Sequence, residues 1–257
     1  MITTDNLTKR FDSFTAVDHI NLEIRGGEVF GFLGPNGAGK STTIRMLTTL
    51  TEPSEGTAKV EGYDIVTEAD EVRRRIGLVA EKLILYPRLS AVENLTFFGQ
   101  LYGMNRQQLK VRIERLLDMV QLGTFRNMSV GGYSSGMRQR VNIVRGLLHD
   151  PDILFMDEPT AMLDPQSTRF VRDLIKELNQ EGKTVILTTH IMEEADELSH
   201  RIGIIDHGKI VAVDPPSELK SRYDCHTLEE VFLELTGRAL RDSASNHVPL
   251  RTTMGRA

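Results

Sequence analysis

From residue 20 to 24 apolar and polar side chains alternate, with Ile20, Leu22 and Ile24 set against Asn21 and Glu23, the period of a strand with one buried face. Residues 1–30 as a whole read as short strands, and Arg25-Gly26-Gly27-Glu28 reads as a hairpin turn into the next of them. That next run, residues 29–33, is apolar apart from its glycine, which predicts a strand covered on both faces, as in a parallel sheet. Residues 153–156, 185–187 and 202–205 repeat the pattern. Three of these four strands end at polar residues of catalytic type, as at the carboxyl edge of an open α/β sheet.

Between the first two of these runs the period lengthens to that of a helix. Leu109, Ile113, Leu116, Leu117 and Val120 fall on one face, and Ser90 with Glu93 forms a capping box that opens another helix through Leu95, Phe98 and Leu101. Met137, Val141, Val144 and Leu148 make a third stripe, which ends before Asp150-Pro151. Residues from about 83 to 149 therefore read as a helical subdomain inserted into an α/β core. After Asp214-Pro215-Pro216 a short helix runs through Leu228, Val231, Phe232 and Leu235, so the main domain is expected to span residues 1–237. From residue 238 the apolar period is lost, and the tail is expected to fray.

Composition narrows the class. The chain has 257 residues, 40% of them hydrophobic, enough to bury a sizeable core. A net charge of −5 supplies no basic field to hold nucleic acid, so no nucleic-acid partner is expected. The single cysteine, Cys225, excludes an internal disulfide framework and fits a reducing compartment. The N-terminus lacks the basic patch and apolar run of a secretory leader. No stretch reaches the roughly 18 apolar residues that cross a bilayer, so work at a membrane requires another polypeptide for the spanning part.

The chemistry is concentrated at the strand ends. Gly34-Pro35-Asn36-Gly37-Ala38-Gly39-Lys40-Ser41-Thr42 satisfies G-x-x-x-x-G-K-S/T between a strand and a helix that runs through Ile44, Met46, Leu47 and Leu50. Its glycines let successive backbone N–H groups turn inward at a helix N-terminus, where a phosphate sits. Lys40 then reaches the β- and γ-phosphates and Ser41 ligates Mg²⁺. Asp157 and Glu158 directly follow the apolar run 153–156. Neighbouring residues at a strand end diverge, so Asp157 is suited to hold Mg²⁺ and Glu158 to polarise an attacking water as general base. His190, after Thr188-Thr189 at another strand end, is placed to contact a γ-phosphate oxygen and orient that water.

The segment Tyr133-Ser134-Ser135-Gly136-Met137-Arg138-Gln139-Arg140 resembles the signature motif of ATP-binding cassette proteins, and the resemblance extends over about residues 2 to 237. It implies a RecA-like P-loop core with a small antiparallel β subdomain and the inserted helices, ATP as the nucleotide, and a head-to-tail dimer. In that dimer Ser134, Ser135 and Gly136 face a γ-phosphate held by the opposite copy. The usual signature is Leu-Ser-Gly-Gly-Gln, so this chain departs at Tyr133, Ser135 and Met137. By the same resemblance Phe11 stacks on adenine and Asp164 lies in the segment that crosses the dimer interface, with Ala161-Met162 standing where Ser-Gly is common. Glu81 occupies a position usually held by glutamine, in a loop that contacts Mg²⁺ and senses the membrane partner, and a carboxylate there still serves as a Mg²⁺ ligand.

Glu81, the Tyr-Ser-x-Gly-Met signature and the run from Thr227 to Arg238 are similar to the antibiotic and multidrug exporter branch, of the daunorubicin-resistance type. The resemblance implies an ATPase at the cytoplasmic face of the membrane, paired with a separate multi-span permease that exports a drug-like or lipid-like compound. Residues 83–105, with Leu85, Tyr86, Pro87 and Leu89 near their start, are the expected docking surface, an apolar cluster that serves equally as core. Two other classes stay open at this point: a soluble cassette ATPase acting on nucleic acid or ribosomes, and an ATP-gated regulatory module, against which the intact Glu158 argues.

Overall fold

The computed structural model describes residues 1–237, so the tail expected to fray lies outside the described residues. Two sheets organise the chain. The first is four-stranded and antiparallel, in the order β2-β1-β4-β5, from β1 (Ile2–Phe11), β2 (Phe14–Ile24), β4 (Glu55–Val60) and β5 (Tyr63–Asp64). The second has six strands in the order β10-β9-β3-β8-β7-β6: β3 (Val29–Leu33), β6 (Ile76–Val79), β7 (Ile153–Asp157), β8 (Thr184–Thr189), β9 (Arg201–Asp206) and β10 (Lys209–Asp214). All neighbours in it pair in parallel except β10 with β9.

Every residue of β3, β7 and β8 is buried, because each face of the large sheet is covered by a different layer. Side chains leave alternate faces of a strand. Ile153, Phe155 and Ile186 therefore join Phe30 and Phe32 against the antiparallel sheet and the helices α1 (Lys40–Leu47) and α2 (Ala69–Arg75). Leu154, Met156, Val185 and Leu187 point the other way, into a core shared with α3 (Ala91–Leu101), α4 (Arg106–Met119), α5 (Ser135–Leu147) and α6 (Pro165–Gln180). The inserted helices thus pack on the large sheet through one continuous core. A third cluster closes the far edge, where Leu33, Ile202 and Ile204 meet α7 (Met192–Leu198), α8 (Pro216–Arg222) and α9 (Leu228–Thr236).

The helical stripes read from the period are buried as expected: Leu109, Ile113, Leu116 and Leu117 in α4, and Val141 and Val144 in α5. The capping box at Ser90 and Glu93 is present in both directions. Two expectations are corrected. Arg25 to Glu28 is no hairpin turn: β2 pairs with β1 in one sheet and β3 with β8 and β9 in the other, so the turn is the crossing between sheets. A strand apolar on both faces cannot sit beside an alternating edge strand without exposing one face, and Gly27, at φ 74°, redirects the chain while its N–H donates to the Thr184 hydroxyl. The helix after the phosphate loop stops at Leu47. Thr48 turns its hydroxyl back onto the Ile44 carbonyl, Thr49 is left-handed, and Leu50 is exposed.

Helix and sheet approach closely at Gly77 of β6, where an added Cβ would fall 2.2 Å from the Gly146 carbonyl oxygen of α5. Gly77→Ala is expected to lower stability by about 1–3 kcal/mol through overpacking, read as a shifted urea midpoint at unchanged slope.

Candidate active site

Parallel strands share one direction, so the carboxyl ends of β3, β8 and β7 emerge side by side, with Leu33 beside Thr189 and Asp157 beside Thr188. This order places the His190 strand between the strand that feeds the glycine loop and the strand that carries the acids. The loop enters α1 at Gly39, which is left-handed at φ 109° and offers no side-chain cap, so the first amides of the helix are left for a ligand. Only glycine fits there, since a Cβ would lie 2.5 Å from the Ala16 carbonyl oxygen of β2. The turn at residue 208 braces the loop from the other side: Gly208 donates to the Ala38 carbonyl at 2.9 Å and accepts from the Asp18 amide at 2.8 Å.

Lys40 is buried and folds back over the loop, its Nζ donating to the carbonyls of Gly34 at 2.7 Å and Pro35 at 3.2 Å, with Glu158 Oε1 at 3.3 Å. Burial pushes its ammonium below the ordinary value, and the carboxylates of Glu158, Asp157 and Glu81 oppose that shift. The Ser41 hydroxyl donates to Asp157 Oδ1 at 2.9 Å, and Thr188 donates to the same oxygen at 2.7 Å. The Glu158 amide donates to the Thr188 hydroxyl at 2.9 Å. Glu158 itself is left-handed, at φ 49°, a strained backbone for a non-glycine residue. Its Oε2 lies 2.9 Å from His190 Nδ1, while Oε1, although buried, has the Lys40 ion pair and no aligned hydrogen bond.

One cleft of about 470 Å³ is lined on its phosphate side by Pro35, Asn36, Gly37, Lys40 and Ser41, while Asp157 lies buried behind Ser41 and does not line it. Thr42, Glu81, Glu158 and His190 also line it, and Phe11 stands at its far side, 48% exposed, with Lys9 Nζ 5.2 Å from the ring centroid. Phe14, which faces Phe11 across the hairpin, lines the same cleft and was not singled out by sequence; the pair flanking Asp12-Ser13 is the signal that marks it.

Ser134, Ser135 and Asp164 do not line this cleft. Ser134 caps α5 by accepting the Met137 amide, and Asp164 caps α6, where the hydroxyl and amide of Ser167 hold its carboxyl below the usual carboxylate range. Gly136 lies against Ser167, where a Cβ would come within 2.0 Å of Oγ, so the two segments share one face while Ser134, Ser135 and Asp164 stay exposed. The departure at Tyr133 has a structural basis: the ring is buried and its hydroxyl donates to the Phe125 carbonyl at 2.7 Å. Gln139 and Asn142 of α5, both missed by sequence, reach the strand ends, donating to the carbonyls of Pro159 at 2.7 Å and Ala80 at 3.1 Å.

The sequence profile of the family described as ABC transporter matches residues 17–161. The chain is 44% identical over 238 residues to the daunorubicin/doxorubicin resistance ATP-binding protein DrrA of Streptomyces peucetius, covering 93% of this chain and 72% of that protein. It is 42% identical over 236 residues to the ABC transporter ATP-binding protein NatA of Bacillus subtilis (strain 168), covering 90% and 95%. Among solved structures, the ATP-binding subunit of an ABC transporter superposes with a TM-score of 0.83 at 26% identity, covering 92% of this chain and 99% of that one. A dimeric bacterial ABC transporter cassette superposes with a TM-score of 0.76 at 32% identity, covering 84% and 98%. A phosphate cradle facing a carboxylate and an imidazole is what ATP hydrolysis requires, and with likeness along nearly the whole chain the protein belongs to the ABC transporter family, as an ATP-hydrolysing cassette.

Proposed function

We propose that this cassette drives an exporter, working as a head-to-tail pair at the cytoplasmic face of the membrane on a separate multi-span permease. The observation that carries the hydrolytic part is the placement of Glu158 between Lys40 and His190 in one cleft. Glu158 takes the proton of the attacking water, His190 orients that water, and the loop amides with Lys40 hold the phosphates. Phe11 offers the open face of its ring to adenine.

Ser41 and Asp157 put two hard oxygens beside the phosphate cradle, a donor set that fits Mg²⁺. Among the described residues no group of three or more His, Cys, Asp or Glu side chains is arranged to hold a metal, and Ser41 and Asp157 would hold the ion together with the nucleotide. When bound, it neutralises phosphate charge. Glu81, in the same cleft, takes no part in the contacts joining Ser41 to Asp157 and would add a further carboxylate beside the ion.

Pairing is supported by the exposed Ser134, Ser135 and Asp164 outside the cleft and by the related cassette structures described as dimeric, one of them in a post-hydrolysis state with ADP and phosphate bound. Export is supported by the names of relatives, which include a linearmycin resistance protein of Bacillus subtilis (strain 168) and a Nod factor export protein of Cupriavidus metallidurans, each 41% identical. Among the described residues no helix is long and apolar enough to cross a membrane. For docking, Leu85 packs into the core while Ile84, Tyr86, Phe97, Leu101 and Tyr102 remain exposed, which favours the surface of α3 and the segment before it as the permease contact. Mild detergent extraction is expected to recover the chain with a multi-span protein. Recovery only with ribosomes or nucleic acid, or as a chain that binds ATP without turnover, would sink this reading.

A further inference from the structure

Glu194 lies in the first turn of α7, four positions after His190, and is wholly buried at 0% exposure. Its Oε1 accepts the Thr160 hydroxyl at 2.7 Å and lies 3.4 Å from Arg172 Nε of α6, while Oε2 is buried without a partner. Thr160, also buried, is two positions after Glu158. Arg172 is held in turn by Glu197 at 3.0 Å, and α6 starts at the far end of the loop that Glu158 begins. One carboxylate is therefore the meeting point of the segment carrying Glu158, the helix following His190 and α6.

Burying a carboxylate with one oxygen unpaired is costly, and an apolar side chain of similar size would pack α7 at less expense. What the carboxylate adds is direction. A short bond to Thr160 sets where the chain goes after the left-handed Glu158, and Gln139 fixes Pro159 from the opposite side. We propose that Glu194 is a positioning residue for hydrolysis: through Thr160 it sets the distance between Glu158 and His190. This role rests on the reading of Glu158 and His190 as the hydrolytic pair.

The test uses the full chain, with kcat, KM for ATP and thermal midpoint measured for Thr160→Val, Thr160→Ser, Glu194→Met and Glu158→Gln. Valine matches threonine in shape and removes only the hydroxyl. Thr160→Val and Glu194→Met, which removes the acceptor at similar volume, are each expected to lower kcat about tenfold with KM within about twofold, Thr160→Ser to restore kcat, and the double variant to lose no more than either single one. Wild-type kcat in Thr160→Val overturns the proposal, and so does a loss that serine fails to restore or that follows a fallen thermal midpoint. If Thr160→Val keeps its rate while Glu158→Gln loses it, the Glu194 role alone fails. If Glu158→Gln keeps its rate, the underlying reading fails as well.

Discussion

Glutamine in place of Glu158 is expected to lower ATP turnover by roughly 10²- to 10⁴-fold, leaving ATP bound to a cassette that does not release phosphate. The substitution keeps the volume of the side chain and removes its basicity. Position makes the loss this large: the carboxylate lies 2.9 Å from His190 on one side and 3.3 Å from Lys40 on the other, with one buried oxygen lacking an aligned hydrogen bond. A carboxylate here can take up a proton, whereas an amide there accepts none. Single-turnover phosphate release, measured beside retention of labelled ATP, separates loss of chemistry from loss of binding. Comparable phosphate release in the variant and the wild type removes Glu158 from the role of base.

The second large effect is on binding. Lys40→Met retains most of the apolar stem and removes the ammonium, and ATP affinity is expected to fall by about 2–5 kcal/mol, the range for truncating one partner of a buried charge pair. The ammonium is held by the Gly34 and Pro35 carbonyls and by Glu158. Lys40 is buried by the fold itself, so the phosphate contact it is expected to make is that of a desolvated charge. Its removal also leaves Glu158 without its counter-charge in the cleft. Titration calorimetry with ATP checks the magnitude, and an affinity within about threefold of wild type contradicts it.

The phosphate loop was legible in full because its demands are local: Gly37 and Gly39 adopt positive φ, and the lysine and serine follow on the same first helical turn. Asp157 and Glu158 were legible for the same reason, as polar residues ending a strand with no exposed face. The turn at residues 25–28 misled because the same glycines serve a hairpin or a crossing between sheets, and only the two-sided burial of β3 decides between them. Asp164 was read through its family role alone, although Asp164-Pro165 is also the cap of α6, whose buried Val171, Leu174, Ile175 and Leu178 carry a regular helical stripe. Thr160, Thr188 and Gln139 were not legible. Their partners lie 34, 31 and 20 positions away in sequence, and a hydroxyl or amide shows nothing of its role until the fold brings that partner within reach.

The floor beneath Gly39 is the carbonyl of Ala16, contributed by the antiparallel sheet, and Gly208 links the loop to the same strand through Asp18. The nucleotide seat is consequently not a property of the α/β core by itself. A minimal cassette excised to begin at β3 would keep every residue of the glycine motif and its bond to Gly208, yet the loop would lose the Ala16 carbonyl beneath Gly39, and the ordering now supplied by the first strands would have to come out of the affinity for ATP. In this fold the sheet that appears peripheral to the chemistry sets how much of the phosphate site exists before the ligand does.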